Sequence, residues 1–547
     1  MCGFLGVVDR RGDEIDLRGL ETRITRQLLQ RGPDVCKTDR APGRYLAHSR
    51  LSITDESAAA DQPFANPARD IFLLFNGEIY NYQSLRAQFL DYPFRTTSDT
   101  EVICHLYELG GTTALDQLDG TFALAIVDLR RQQLVLARDA VGKKPLFRFQ
   151  YGEQIAFSSD SSLIGALFNT PLETTALGYY LANGFTRPTR SLFKDVVPVC
   201  PGEVLTFRLD EPHAALQRAR LCPPNGLPNT GDDIVSQAEA AVRSAVEKRS
   251  SNVRRPVLFL SGGLDSTLVA KFLKEQFDEV EAITFKPVLP WELDYPYAKE
   301  AANRYGLKLR AVSYPTRQLS DQLEALVGRQ DEPMGVLSFV PLAFMSDVAR
   351  GSSKIVFTGD GGDEVFYGYD SIALWTETKG AVEPFDLTSG PPLPDWVSDD
   401  GRRQATESLV GHSFARLDRA VSELGLEPRC PLCDYALMNL MRHQPRERVL
   451  STPKQIVKEI LLKDLPRSFV ERRKVGFATR IKYYQALDGF QFIRRHLTPR
   501  FRSFLQGHEL AAPDAPWPPP PSAVFRNFPQ FWGLASLSAF LSRERFI

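Results

Sequence analysis

The chain has 547 residues, of which 43% are hydrophobic and 24% charged, so two or more domains are expected. Its 66 Lys and Arg residues against 67 Asp and Glu residues argue against nucleic acid or an anionic membrane as partner. No apolar run approaches the roughly 20 residues that span a bilayer, and Asp9-Arg10-Arg11 closes an apolar start too short for a signal peptide. The 7 scattered cysteines favour a reducing, cytoplasmic location.

The amino-terminal part, residues 2–208, predicts an α+β domain rich in antiparallel pairing. Short apolar or alternating runs between turn residues predict strands at 71–75, 122–127, 134–136 and 204–207. A helix is predicted over residues 100–109. The stretch 209–233, rich in Pro, Gly and Asn, is interpreted as a linker.

Residues 234–547 predict a second domain, in which strands and helices first alternate. The predicted strands are 257–260, 280–285, 307–312 and 354–358, and the predicted helices are 266–277, 297–305 and 319–327. That alternation is typical of a doubly wound parallel sheet. Beyond residue 368 the chain becomes mainly helical, interrupted by Pro/Gly-rich stretches at 383–400 and 513–521.

The second residue, Cys2, is a candidate nucleophile. If Met1 is removed, Cys2 carries a thiol and an α-amine on the same few atoms. The amine, with a reference pKa of about 7.7–8.0, accepts the thiol proton near neutral pH. One residue then supplies both nucleophile and base, as in N-terminal-nucleophile amide hydrolysis.

Two glycine-rich loops follow predicted strands of the second domain. The loop 261–266 (SGGLDS) opens a helix, so its backbone N–H groups and hydroxyls suit a polyphosphate, and Asp265 suits a Mg²⁺ ion on the phosphates. The loop 359–364 (GDGGDE) lies at the carboxyl end of another strand, where ligands of open α/β sheets bind. Its carboxylates predict a second Mg²⁺ ligand and a base.

With these loops and Cys2, the chain resembles the glutamine-hydrolysing asparagine synthetases over nearly its whole length. The amino-terminal motifs that carry the resemblance are CG at 2–3, RGPD at 31–34, HSRLSI at 48–53, NGEIYN at 76–81, SDTE at 98–101, DGTFA at 119–123 and RDAVGKKPL at 138–146. The resemblance implies an N-terminal-nucleophile amidohydrolase domain with an antiparallel sheet sandwich between helices. It also implies a following ATP-pyrophosphatase domain that cleaves ATP to AMP.

The resemblance assigns roles in the glutaminase domain. Cys2 would attack the glutamine side-chain amide, and Asn76 and Gly77 would form the oxyanion hole. Arg50 would clamp the glutamine α-carboxylate, and Asp99 and Glu78 would contact the rest of the glutamine.

Roles in the second domain are implied in the same way. The expected ATP-binding residues are Leu260, Ser261, Gly262, Gly263, Asp265, Ser266, Phe285, Thr358 and Gly359. Asp265 and Asp363 would hold Mg²⁺, Asp360 would take a proton from ammonia, and Lys474 would touch phosphate and adenylate. Asp331-Glu332 also matches a family signature, with acceptor contact and a structural role both open.

Departures from the family pattern cluster near the expected acceptor. Ser422 and Leu424 stand where Met and His are usual, and Cys430 and Cys433 replace apolar residues. No second pair or His cluster completes a tetrahedral metal site with these cysteines, so we expect two packed thiols.

The implied activity is a cytoplasmic, ATP- and Mg²⁺-dependent amidotransferase that takes glutamine, ATP and a carboxylate, with aspartate as the favoured acceptor and neutral ammonia travelling inside the protein. Three alternatives remain open: the same reaction on a natural-product or sugar acid, an amide-forming cyclase of the β-lactam synthetase or lasso-peptide kind, and a non-catalytic homologue. A homodimer is also compatible with the sequence.

Overall fold

The computed structural model describes residues 1–211, 216–221, 223, 233–286, 294–313, 319–368, 409–442, 444, 453–472, 489–508, 510, 528–544 and 546. Lys474 and the stretches 383–400 and 513–521 lie outside these ranges. Within them, no helix is both long and apolar enough to cross a membrane.

Two six-stranded antiparallel sheets form the first domain. Its strands are β1 Gly3–Asp9, β2 Val35–Ala41, β3 Arg44–Arg50, β4 Phe64–Ala65, β5 Ile71–Ile79, β6 Gly120–Asp128, β7 Gln133–Arg138, β8 Phe147–Tyr151, β9 Gln154–Ser158, β10 Val197–Pro198, β11 Glu203–Arg208 and β12 Gln217–Arg220. The sheet orders are β10-β8-β9-β1-β3-β2 and β12-β11-β7-β6-β5-β4. Apolar side chains of both sheets, among them Phe4, Leu46, Phe72 and Leu136, form one buried cluster between them.

Helices cover the outer faces of both sheets. They are α1 Glu21–Arg31, α2 Tyr82–Arg86, α3 Asp99–Gly110, α4 Ser161–Phe168 and α5 Thr174–Asn183. Leu28 of α1 packs with Leu5 of one sheet, and Tyr107 of α3 packs with Phe75 of the other. Ser98 caps α3 by accepting a hydrogen bond from the Thr100 N–H. The predicted sandwich of sheets between helices is confirmed.

The predicted linker contains part of the first domain. Within 209–233, residues Gln217–Arg220 form the edge strand β12, which pairs with β11. These four residues have no apolar alternation, so composition alone indicated a linker.

The second domain is built on a five-stranded parallel sheet, as predicted. Its strands are β13 Val257–Phe259, β14 Glu281–Phe285, β15 Lys308–Val312, β16 Ile355–Phe357 and β17 Glu427–Arg429, in the order β15-β14-β13-β16-β17. Strands β13 (VLF) and β16 (IVF) in the middle of the sheet are wholly apolar, because helices cover both faces of such a sheet.

The helices of the second domain connect these strands and build its carboxyl-terminal part. They are α6 Ile234–Lys248, α7 Leu264–Gln276, α8 Asp294–Tyr305, α9 Leu319–Val327, α10 Phe339–Ala349, α11 Gly362–Val365, α12 Ala415–Val421, α13 Tyr435–Arg442, α14 Gln455–Leu461, α15 Arg467–Val470, α16 Gly489–His496, α17 Pro499–Gly507 and α18 Phe528–Arg543. The last helix returns to the first domain, where the Tyr180 hydroxyl donates to the Gly533 carbonyl at 3.0 Å.

Buried polar contacts join the two domains. Arg31 of α1 makes a bidentate pair with Asp418 of α12, both N–O distances being 2.7 Å. Glu332 accepts hydrogen bonds from the hydroxyls of Thr186 and Ser191, each at 2.6 Å. Glu332 therefore holds a loop of the first domain in place.

Candidate active sites

The candidate nucleophile Cys2 is half-buried and immediately precedes β1. Its sulfur is hydrogen-bonded to the backbone of Leu51, the residue after Arg50. Burial raises the pKa of the Cys2 thiol, and the neighbouring amino terminus opposes that shift. A base beside this thiol would therefore contribute strongly to its reactivity.

An amine beside Cys2 is present, but in this chain it belongs to Met1. It donates to the carbonyls of Arg31 at 3.3 Å and Leu426 at 3.1 Å. Burial lowers the pKa of this amine to about 5, so it is neutral at pH 7. Removal of Met1 would place the α-amine on Cys2 itself, as the sequence predicts.

Asn76 and Gly77 lie on β5, opposite Ala123 and Phe122 of β6. Asn76 is completely buried, and among the described residues neither its amide nitrogen nor its amide oxygen has a hydrogen-bond partner. A Cβ at Gly77 would lie 2.3 Å from the Thr121 carbonyl oxygen, so only glycine fits there. A buried amide without a partner suits the predicted oxyanion hole.

Arg50 ends β3 and is engaged by its own chain. Its guanidinium donates to Asp61 Oδ1 at 2.8 Å, to the Ser57 carbonyl at 2.9 Å and to the Asp55 carbonyl. A glutamine carboxylate would therefore share this cation with Asp61.

Asp99 and Glu78 are buried carboxylates of the same domain. Asp99 begins α3 and accepts from the Ile79 N–H at 3.1 Å, while burial raises its pKa to about 6. Glu78 accepts from Arg429 at 2.5 Å, and burial raises the pKa of Glu78 to about 7 despite that partner. The present partners of these two carboxylates do not offset the effect of burial on their pKa values. An additional cation, such as the α-ammonium of glutamine, would therefore stabilise their charged forms.

The second site lies where the strand order of the parallel sheet reverses, between β13 and β16. The loop after β13 is tied by the Ser266 hydroxyl, which lies 3.0 Å from the Ser261 hydroxyl and 3.2 Å from the Ser261 nitrogen. The loop then opens α7 at Leu264, and the first N–H groups of a helix favour phosphate.

The two glycine-rich loops touch one another. A Cβ at Gly359 would lie 2.5 Å from the Ser266 nitrogen, and one at Gly362 would lie 2.4 Å from Asp265 Oδ1. The glycines of the second loop therefore allow its backbone to pack directly on the first loop.

Lys454 lies where the two loops meet, and the sequence did not single it out. Its ammonium pairs with Asp265 and with Asp363, the latter at 2.6 Å. Both predicted metal ligands thus converge on one cation. Mg²⁺ is held by one or two carboxylates together with substrate phosphates, so the residues fit a Mg–nucleotide complex.

A cavity of about 1130 Å³ extends from these loops to residues of the first domain, including Asn183 and Phe185. Asp360 lines this cavity and pairs with Arg416 of α12, whose guanidinium also donates to the Ser338 hydroxyl at 2.8 Å. Arg416 is the second cation that sequence reasoning missed, because a single Arg on a helix normally faces solvent.

Most of the predicted nucleotide-binding residues are brought together here. The lining includes Ser261, Gly263, Asp265, Ser266, Thr358 and Gly359. Leu260 and Phe285 are buried in the apolar core, and Gly262 accepts from Arg472 at 2.7 Å. Lys474 falls outside the described residues.

Comparisons with known proteins match both domains of the chain. A glutamine amidotransferase domain model matches residues 1–216, and an asparagine synthase model matches residues 237–390 and 386–511. Asparagine synthetase B (glutamine-hydrolyzing) of Escherichia coli is 28% identical over 509 residues, covering 88% of this chain and 83% of that protein. The glutamine-hydrolyzing asparagine synthetase of Sandersonia aurantiaca is 27% identical over 519 residues, covering 90% of this chain and 89% of that protein.

A solved structure of glutamine phosphoribosylpyrophosphate amidotransferase from B. subtilis matches 66% of this chain and 82% of its own, with 15% identity and a TM-score of 0.30. The two family models lie in the same order as the two structural domains and together cover most of the chain. The chain belongs to the asparagine synthase family.

Proposed function

We propose that this protein hydrolyses glutamine at Cys2 and uses the ammonia to amidate a carboxylic acid that ATP activates. The acceptor we propose is aspartate, which gives asparagine, AMP and pyrophosphate. The observation that carries the proposal is the convergence of Asp265 and Asp363 on one cation. The same chain holds a buried Asn76 whose amide has no hydrogen-bond partner in the described part of the structure.

In the glutaminase site, the Cys2 sulfur would attack the side-chain carbonyl carbon of glutamine. The negative charge that develops on the carbonyl oxygen would be met by the Asn76 amide and the Gly77 N–H. Each such donor is typically worth about 2.7–4 kcal/mol in the transition state. The thioester that follows is hydrolysed by water, and ammonia leaves.

In the second site, the acceptor carboxylate would attack the α-phosphate of ATP and release pyrophosphate. Asp265 and Asp363 would hold Mg²⁺, which when bound would neutralise charge on the phosphates. The backbone N–H groups of the loop 261–266 would orient the phosphates, and the Lys454 ammonium lies beside them. Asp360 would accept a proton from the incoming nitrogen as AMP leaves.

The choice of aspartate follows the names of the curated relatives. The test measures pyrophosphate release from ATP in the presence of glutamine, across a panel of carboxylic acids. We expect stimulation by aspartate. If only another acid stimulates pyrophosphate release, the choice of aspartate as acceptor is wrong, but the proposed two-site mechanism is retained.

A second test separates the two sites. Cys2→Ala should abolish glutamine-dependent amide formation and leave ammonia-dependent amide formation intact, because the two reactions use different pockets. Loss of both activities would contradict the division of labour between the domains.

A further inference from the structure

Cys430 and Cys433 lie one turn apart at the carboxyl end of the parallel sheet. Cys430 directly follows β17, and Cys433 ends the 3₁₀ turn Pro431–Cys433, where its N–H donates to the Cys430 carbonyl at 3.1 Å. The two side chains lie close enough to shift one another's pKa. Both residues are only 1% exposed, so the predicted packing of the thiols is confirmed.

The pair also contacts the second glycine-rich loop, residues 359–364, which we call the acidic loop. The Cys433 thiol donates to the Asp360 carbonyl at 3.3 Å, and the Cys430 sulfur lies 3.4 Å from the Thr358 hydroxyl. A Cβ at Gly361 would lie 2.1 Å from the Cys433 sulfur, so the loop rests directly on this atom. A change at either sulfur therefore acts on the backbone that presents Asp360.

The two thiols differ in acidity. The neighbouring Cys433 side chain and, after it, the ammonium of Lys143 lower the pKa of Cys430. Burial raises the pKa of Cys433 well above its usual range. Cys430 is therefore the more acidic of the two thiols, and such an asymmetry is what Cys-X-X-Cys redox sites use.

A small cavity reaches Cys433, one member of the pair. A cavity of about 20 Å³ is lined by Cys433 together with Thr121, Arg249 and Tyr435. A volume of roughly 10–15 Å³ is enough for a water molecule, and hydrogen peroxide is larger than water by one oxygen atom.

We propose that Cys430 and Cys433 are a reversible modification site at which hydrogen peroxide forms a disulfide that disables the Asp360 loop. The Cys430 sulfur attacks one peroxide oxygen, the O–O bond breaks and hydroxide leaves, giving a sulfenic acid. The Cys433 sulfur then attacks the Cys430 sulfur, the S–O bond breaks, and the departing hydroxide takes the Cys433 proton as water. The first hydroxide takes up the proton that Cys430 loses, so the two thiols give up two electrons and two protons in total and the peroxide is reduced to two molecules of water.

The disulfide removes the S–H donor from the Asp360 carbonyl and moves the sulfur on which Gly361 rests. The glutaminase site shares neither contact, so glutamine hydrolysis should continue while ATP-dependent activation stops. This consequence rests on the proposed function, because it assigns the loop 359–364 to ATP-dependent activation.

The experiment treats the reduced full-length protein with hydrogen peroxide and maps its thiols by alkylation and mass spectrometry. Ammonia serves as the nitrogen donor, so the oxidation state of Cys2 does not enter. We expect a Cys430–Cys433 disulfide, a loss of pyrophosphate release of at least about tenfold, and recovery with dithiothreitol. Cys433→Ser and Cys430→Ser should resist, whereas the control Cys104→Ser, which alters a buried thiol of the first domain, should respond like the unaltered protein.

Calorimetry measures MgATP binding to the reduced and to the oxidised protein. This measurement distinguishes a failure of the redox switch from a failure of the proposed function. A reduced protein that releases no pyrophosphate with any acid contradicts the proposed function, and weaker MgATP binding after oxidation still supports the switch. Thiols that stay reduced under peroxide treatment overturn the inference. A disulfide that leaves both MgATP binding and pyrophosphate release unchanged also overturns it.

Discussion

Arg429, the last residue of β17 in the parallel sheet, donates a 2.5 Å hydrogen bond to Oε1 of Glu78 in the glutaminase domain. The same residue accepts a 3.0 Å hydrogen bond at its carbonyl from the Thr358 N–H, at the start of the acidic loop. One fully buried arginine therefore contacts the proposed glutamine pocket through its side chain and the proposed ATP-binding loop through its backbone.

Arg429→Met should impair glutamine use more than ammonia use. Without its cation, the buried Glu78 carboxylate becomes neutral, and a charged hydrogen bond is worth roughly 1.5–3 kcal/mol. We expect glutamine-dependent amide formation to fall about ten- to a hundredfold, measured beside the ammonia-dependent rate. Arg429→Lys, which keeps the charge, should lose less. An equal loss with both nitrogen donors would contradict this role.

Glutamine binding should weaken as the pH falls. Burial raises the pKa of Asp99 to about 6 and that of Glu78 to about 7, so both carboxyls gain protons between pH 8 and pH 5.5. A neutral carboxyl cannot pair with the glutamine α-ammonium, hence KM for glutamine should rise on acidification. The measurement is a KM profile over that range, and Asp99→Asn should flatten its lower limb. A KM independent of pH would refute the assignment.

Gly359→Ala should disable only the ATP site. The new methyl group would lie 2.5 Å from the Ser266 nitrogen, which forces the two loops apart. Pyrophosphate release should fall by at least about tenfold, and glutaminase activity should persist. Gly507→Ala is the matched control, since a Cβ there meets nothing within 4 Å. Unchanged pyrophosphate release in Gly359→Ala would show that the loops do not need this contact.

Lys454→Met removes the cation between Asp265 and Asp363. The two carboxylates would then repel one another and the phosphates would lose a positive partner, so we expect pyrophosphate release to fall about a hundredfold. Glutamine hydrolysis is the internal control. Lys463→Met, which alters an exposed pair with Glu239, should behave like the unaltered protein. Full pyrophosphate release in Lys454→Met would exclude a role for this lysine.

Arg31→Met should destabilise the whole chain. It leaves the buried Asp418 carboxylate without its bidentate partner, and breaking a buried pair typically costs about 3–5 kcal/mol. Urea unfolding measures the change. The control Arg243→Met removes an exposed pair with Glu275 and should cost no more than about 1 kcal/mol. Similar losses in both variants would contradict the importance of burial.

The predictable part of the fold is the part encoded locally. The strand predicted at 280–285 is Glu281–Phe285, and the helix predicted at 319–327 has those same bounds, because their apolar patterns match the period of the element. The strand Glu427–Arg429 was not predicted, since two charges and a proline are poor strand signals. It forms because β16 pairs with it and its charges find partners in the other domain.

The residues of the candidate sites also fall into two groups, those that a local sequence motif indicates and those that only the fold brings to the site. Asn76, Asp265 and Asp363 stand in motifs whose local composition indicates their chemistry. Lys454 lies 189 residues from Asp265 along the chain, and nothing next to it in sequence suggests phosphate. Only the folded chain reveals it, because the signal is a distance in space.

The Met1 amine donates a hydrogen bond to the carbonyl of Leu426, a residue that the ribosome adds 425 positions later. An aminopeptidase that works on the nascent chain meets an open methionine, whereas one that arrives after folding finds the scissile bond sealed under the second domain. Under the proposed role of Cys2, the timing of Met1 removal relative to folding would decide whether a given molecule acquires glutaminase activity. Chains that fold first would persist as a subpopulation able to use only free ammonia.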